Sequence, residues 1–387
     1  MFVQSWVALD LSLMDSQGNP VLRGSAVGLF LFDVCEEIRL EELGSILGAR
    51  RLGEGLKHAA AEQLFFERPP VVEETGFHGD EPSASKDAPS IVSDGQVRVR
   101  VKYYDYGVVS VLFEFPFAGG WNDLISLSCR WISGTDLPSR AEQISKEKVA
   151  RTRPALVKPY ASWLSEDYFM FFMREIDGRP TAAQLLSSCG QQIAQVVRGE
   201  NAALSDDERR EVLQSAMSYY PNDLAVLGWN AAFVYDSSAG SETTMQLLEY
   251  ANSQLLEFRH YDDLMTHELA RVYDSLDQKS NFIGLWRVPR EASRLQTVLL
   301  DVTELTERAD NAIKFLSDMF SARLYRLAAS KIGVPDYKSL TQQKLRTAED
   351  LYRFLIDQFH QSRTFWLELL VVLILLIELV YVFHGKM

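Results

Sequence analysis

The sequence is short of the features that would staple a chain, address it or label its chemistry. Cysteine is scarce: Cys35, Cys129 and Cys189 are the only three in 387 residues, far apart and without a CxxC pair. That argues against a disulfide framework or a zinc knuckle and points to a reducing compartment. No basic residue precedes Arg23, so the N-terminal stretch has neither the charged start of a secretory signal nor the arginine-rich character of a mitochondrial presequence. P-loop and GxSxG signatures are missing, and no GxGxxG precedes a suitable helix. Positive charge is also in deficit, with a formal net charge of -14, which disfavours a bulk nucleic-acid binder. The deficit is uneven: residues 287–387 carry +2, so the acidity belongs to residues 1–286.

What the chain does have is one long apolar run. Phe365–Phe383 reads FWLELLVVLILLIELVYVF, and only Glu368 and Glu378 interrupt it. As a helix it would reach about 28 Å, close to the hydrocarbon thickness of a bilayer. Fifteen Leu, Ile, Val or Phe residues, at roughly 0.3–0.6 kcal/mol each, outweigh about 3 kcal/mol for each glutamate. The expectation is a transmembrane helix over 364–383 with a short tail at 384–387. Arg346, Arg353 and Arg363 precede it and only Lys386 follows. The positive-inside bias therefore places a single-pass protein in the inner membrane with its N-terminal bulk in the cytoplasm.

Residues 1–237 read as an α+β domain. Apolar residues alternate from Val3 to Leu13, and Ala26–Val34 is a compact run rich in Val and Phe. Helical spacing is expected at 36–47, 54–64, 119–131 and 139–151. Four prolines and several serines mark 67–95 as a flexible insertion. Val97–Tyr104 and Gly107–Phe115 predict a hairpin turning at Asp105 and Tyr106. Glu166–Ile176 and Leu224–Tyr235 each read as a strand. Thr181 is expected to cap one helix, and Ser205 a second that runs on through Met217.

Residues 238–363 predict an all-α stalk of coiled-coil character. A heptad seam runs Leu248, Ala251, Leu255, Phe258, Asp262, Met265, Leu269, Val272 and Leu276, with Asp262 its one polar member. Two further helices are expected, forming an αα-hairpin that turns near 333–335. A desolvated carboxylate needs a partner, and Arg259 is the near candidate for a register-setting pair with Asp262. His260, Asp263 and His267 share a face at i, i+3 and i+7, so a metal-dependent hydrolase or nucleotide-processing enzyme using the His260–Glu268 cluster is the alternative to a binding role. The structural reading is preferred, with no cofactor, no bound metal and no assigned catalytic residue. The hairpin tip is basic, carrying Lys314, Arg323, Arg326, Lys331, Lys338, Lys344 and Arg346 against Asp318 and Asp336. It is a candidate docking surface for ribosomal RNA phosphates. Glu378, inside the span, is a candidate for helix-helix association.

Three stretches carry a resemblance: LEYANSQLLEFRHYDDLMTHELARVYDSL at Leu248–Leu276, YYDYGVVSVLFEF at Tyr103–Phe115, and WLELLVVLILLIE in the tail. From about Val97 onward the chain resembles the "required for meiotic nuclear division" family, a widespread domain of unknown function. The resemblance implies a bacterial-type member of a family of self-associating membrane proteins without established enzymatic activity, some linked to sporulation and one to mitochondrial translation. Together these features predict a membrane-tethered scaffold or adaptor whose partners are a second copy of itself, the lipid bilayer and the translation machinery.

Overall fold

The apolar run at Ala26–Val34 is the middle of a longer strand, β1 (Leu22–Ile38), which in the computed structural model sits at the centre of a mixed sheet. The structure describes residues 21–47, 50–51, 70–76, 97–277, 288–312 and 319–384. The expected alternation at Val3–Leu13 and the helix at 54–64 lie outside them. The other strands are β2 (Arg50–Arg51), β3 (Val71–Gly76), β4 (Arg98–Tyr103), β5 (Val108–Gly119), β6 (Leu156–Ile176), β7 (Ala216–Met217), β8 (Leu224–Leu227) and β9 (Ala231–Tyr235). Their order is β2-β3-β4-β5-β1-β6-β9-β8-β7. Neighbours are antiparallel except β6 and β9, which run parallel. Because β1 is paired on both edges and covered on both faces, residues 25–35 are buried without alternation.

Helices α1 (Leu40–Leu47), α2 (Trp121–Ser133), α3 (Leu137–Thr152), α4 (Ala182–Arg198) and α5 (Asp206–Leu213) follow or interrupt the strands. On one face of the sheet α2, α3 and α4 close an apolar core. Phe30 meets Phe113 and Phe169 edge-on at 5.9 and 6.1 Å, and Trp131 of α2 lies 5.3 Å from Phe115 and 5.8 Å from Phe169. Such pairs add about 0.5–1.5 kcal/mol each beyond their buried area. The α4 signals act as expected. The Thr181 hydroxyl accepts from Gln184 N, the Gln184 side chain accepts from Thr181 N at 2.8 Å, and Gly199 ends the helix at φ 68°.

Four local readings need correction. Glu36–Ile38 remain in β1, pairing with the start of β6, so α1 begins only at Leu40. Within 67–95, Val71–Gly76 is a strand in register with β4 despite the flanking prolines. The Leu224–Tyr235 run is two antiparallel strands, because Gly228–Asn230 forms a turn closed by Gly228 N to Ala231 O at 2.8 Å. Finally, α5 ends at Leu213 and the residues expected to extend it enter β7.

After β9 the described chain is helical: α6 (Ser238–Asp277), α7 (Val288–Ala312), α8 (Met319–Ile332) and α9 (Val334–His384). Gly333, at φ 96°, separates the last two. The fold is thus an α+β domain followed by a helical region, with one apolar helix at its C-terminal end long enough to span a membrane. The chain divides into two compact units, Met1–Glu257 with Asn311–Pro335, and Phe258–Asp310 with Asp336–Met387. The division falls inside α6 rather than at Ser238, because the N-terminal half of that helix is built into the sheet domain.

Candidate functional site

The N-terminal half of α6 covers the second face of the sheet, and that face is polar where β4 and β5 meet it. Strand alternation sends Val99, Val101 and Tyr103 into the apolar core and Arg98, Arg100 and Lys102 to the other side. Lys102 and Glu249 of α6, 2% and 0% exposed at their side chains, form an ion pair there. Ser110 donates to the same carboxylate at 2.6 Å, and Tyr104 also hydrogen-bonds it. One turn on, the Tyr106 and Ser253 hydroxyls meet at 2.8 Å. Further along, the Gln254 side chain bridges the hydroxyls of Tyr250 and Tyr325. Burial pushes the Tyr104 and Tyr106 phenols well above their usual range and the Cys35 thiol up to about 12, so none is a nucleophile at neutral pH. A periodicity reading finds only the seam of α6; the partners of its polar side are 139 to 147 residues away in sequence.

At the rim, Arg100 donates to Glu242 at 2.8 Å. Burial raises the Glu242 pKa, but the Arg100 charge and hydrogen bond outweigh it and hold the carboxyl below the usual range. A depressed folded-state pKa adds stability above the unfolded value, and that stability is lost as pH falls through the folded one. Arg100→Met should therefore lower stability most near neutral pH, and its gap to the wild type should narrow as pH falls through the glutamate range. Urea midpoints between about pH 3 and 6, bracketing that range, will show it; a gap that stays constant would remove the pair from the pH response.

In the second unit the expected polar residues are separated rather than gathered. Asp262 pairs with Lys344 of α9 at 2.5 Å, not with Arg259 as the short spacing suggested. Lys344 also donates to Thr266 Oγ1 at 2.6 Å and Asp262 O at 3.1 Å. The Thr341 hydroxyl bonds Phe258 O at 3.3 Å, so α6 and α9 run the same way within this unit. Asp263 and His267 face outward, 61% and 71% exposed, while Glu268 is held by Arg271 and by Arg294 of α7 at 2.9 Å. His260 stacks edge-on against Tyr261 at 5.6 Å. Among the described residues no group of three His, Cys, Asp or Glu side chains gathers closely enough to hold a metal ion.

Arg323, Arg326 and Lys331 belong to the first unit, and Lys338, Lys344 and Arg346 to the second; Lys314 lies outside the described residues. Lys331 pairs with Glu211 at 3.1 Å. Their helix α8 packs one face, Leu324, Tyr325, Ala328, Ala329 and Ile332, into the first unit. The apolar end of α9 is different. Thr364–Tyr381 has a mean hydropathy of 2.3 and none of it is buried, including Glu378, its interior polar residue.

One feature of the first unit went unnoticed in the sequence, a cleft of about 400 Å³ at the start of α6. Asp223 accepts from the backbone N–H groups of Tyr219 and Tyr220 at 2.7 and 2.9 Å, and Ser218 Oγ donates to Tyr220 O at 2.7 Å. This small loop displays both tyrosines, 61% and 62% exposed. Tyr219 packs at 4.7 Å against Tyr220 and 5.0 Å against Phe320 of α8. Across the cleft, Ser237 caps α6 by accepting from Gly240 N at 3.2 Å, and Asp236 accepts from Ser237 N at 2.5 Å. The SYYPND stretch at Ser218–Asp223 was the available signal, a turn composition with two tyrosines.

Comparison with known proteins matches residues 23–242 to the model of a family described as "Uncharacterized protein MJ0711, N-terminal domain". That span runs from β1 to the first turns of α6. The chain is also 18% identical over 188 residues to "Uncharacterized protein MJ0711" of Methanocaldococcus jannaschii, covering 49% of this chain and 58% of that protein. It therefore spans little more than half the relative's length. No solved structure matches significantly. A domain of unknown function is confirmed, but not the meiotic nuclear division family. The chain belongs to the family of the MJ0711 N-terminal domain.

Proposed function

We propose that this protein is a membrane-tethered adaptor, with its folded units on the cytoplasmic side of an inner membrane, self-associating through the span and presenting the sheet domain to a partner. The apolar end of α9 carries this reading. From Phe365 to Tyr381 every large apolar side chain is exposed, Trp366 least at 43% and Tyr381 most at 80%. A core helix hides such residues, and an amphipathic one exposes a single face; a helix apolar all round needs a hydrocarbon solvent. Arg346 and Arg353 on its N-terminal side support the orientation. Glu378 is costly in lipid unless it finds a partner, which supports self-association. A ribosomal partner has less behind it: the resemblance that suggested it is not the family shown, and Lys331 and Lys344 are already paired. Among the described residues nothing converges to support the hydrolase alternative, with Glu268 bound by two arginines and His267 on the surface.

The test is alkaline carbonate extraction of membranes carrying the full chain or a version ending at Arg363. The full chain should stay in the pellet and the shortened one should be released. Release of the full chain by carbonate would overturn the tether. In the same membranes Glu378→Leu should lower the cross-linked oligomer yield; an unchanged yield would remove the glutamate from assembly.

A further inference from the structure

We propose that the cleft between the Tyr219–Tyr220 loop and the start of α6 binds a neutral saccharide. Among the described residues no lysine, arginine or histidine lines it, whereas Asp223 and Asp236 do. A phosphate or carboxylate ligand would thus meet the repulsion of two carboxylates. Asp223 has both oxygens engaged by the loop backbone, which leaves Asp236 as the carboxylate facing the space. Carboxylates of this kind accept from vicinal hydroxyls of a sugar. The aromatic side is a wall. Tyr219 is in contact with Tyr220 and with Phe320, offering ring surface for the C–H face of a pyranose.

A second observation is independent of the loop. Thr244, one turn into α6, is 5% exposed and lines the cleft, and its hydroxyl makes no hydrogen bond among the described residues. Its hydroxyl is therefore available to a ligand in the cleft. Thr243 and Ser321 add hydroxyls to the same lining. The space, about 400 Å³, admits a mono- or disaccharide. A sugar-binding cleft on a chain of this kind does not depend on the tether, and its failure would leave the anchor untouched.

The experiment is calorimetric titration of the full chain, held in a polyoxyethylene detergent so that no glycosidic detergent competes, with maltotriose and with tri-N-acetylchitotriose. At least one should bind saturably with a dissociation constant at or below about 1 mM. Tyr220→Ala should weaken that binding roughly tenfold or more. Thr244→Val, which keeps the shape and deletes the hydroxyl, should also weaken it. Trp229→Ala, removing an exposed ring that does not line the cleft, should leave it unchanged. Circular dichroism and urea midpoints establish that each variant is folded. Saturable binding of neither sugar overturns the proposal, as does equal binding by wild type and the folded Tyr220→Ala variant. Tighter binding of inorganic phosphate or tetramethylammonium than of either sugar also overturns it.

Discussion

Lys102→Met should cost about 3–5 kcal/mol, because it leaves the Glu249 carboxylate in the interior without its counter-charge. Glu249 is 0% exposed and Lys102 2% exposed, so water cannot replace the lost ammonium unless the helix lifts from the sheet. The double variant Lys102→Met, Glu249→Leu should recover much of the loss, since two apolar side chains of similar volume need no partner. Recovery should be partial: Ser110 and Tyr104 would then lose their acceptor. Urea unfolding of the wild type, both single variants and the double variant measures the coupling. Additive losses would mean that the pair does not hold α6 to the sheet.

Gly107→Ala should lower stability by about 2–4 kcal/mol and shift the unfolding midpoint accordingly. Gly107 sits at φ 94°, where an L residue is strained. A Cβ there would also fall within the van der Waals radius of the Cys35 carbonyl oxygen on β1. The approach is close because Gly107 O accepts from Val34 N at 3.1 Å while Gly107 N donates to Tyr104 O at 3.2 Å, docking the β4–β5 turn onto the central strand. Gly44→Ala, on an α1 position where a Cβ meets nothing within 4 Å, is the matched control and should be near neutral or stabilising. A Gly107→Ala midpoint equal to that of Gly44→Ala would place the turn's rigidity elsewhere.

What could be read in the sequence was local. Thr181 and Gln184 cap α4 reciprocally and lie three residues apart, so the text contains the whole interaction. The β4–β5 hairpin is legible for the same reason, and the seam positions of α6 from Leu248 to Phe258 are indeed buried. What could not be read was which face a non-local partner claims. Asn252, Ser253, Gln254 and Glu257 look like the solvated side of an amphipathic helix, yet each is buried. Asp262 had a plausible neighbour in Arg259, while its ion-pair partner Lys344 stands 82 residues on. Periodicity reports whether a residue is apolar, and a buried ion pair is invisible to it. Likewise Leu224–Tyr235 has strand composition throughout, and only Gly228 hinted at the turn that folds it back.

The central position of β1 bears on how this chain folds during synthesis. Both neighbours of β1 come later in the chain: β5 starts at Val108 and β6 at Leu156. Until β6 has left the ribosome, a 17-residue strand with an apolar centre waits with at least one edge unpaired. Such an edge is the template on which strands of other chains can add. The nascent domain should therefore depend on chaperone protection for its first half, and its folding should be slow relative to a helical chain of equal length, because the pairings that matter most are non-local.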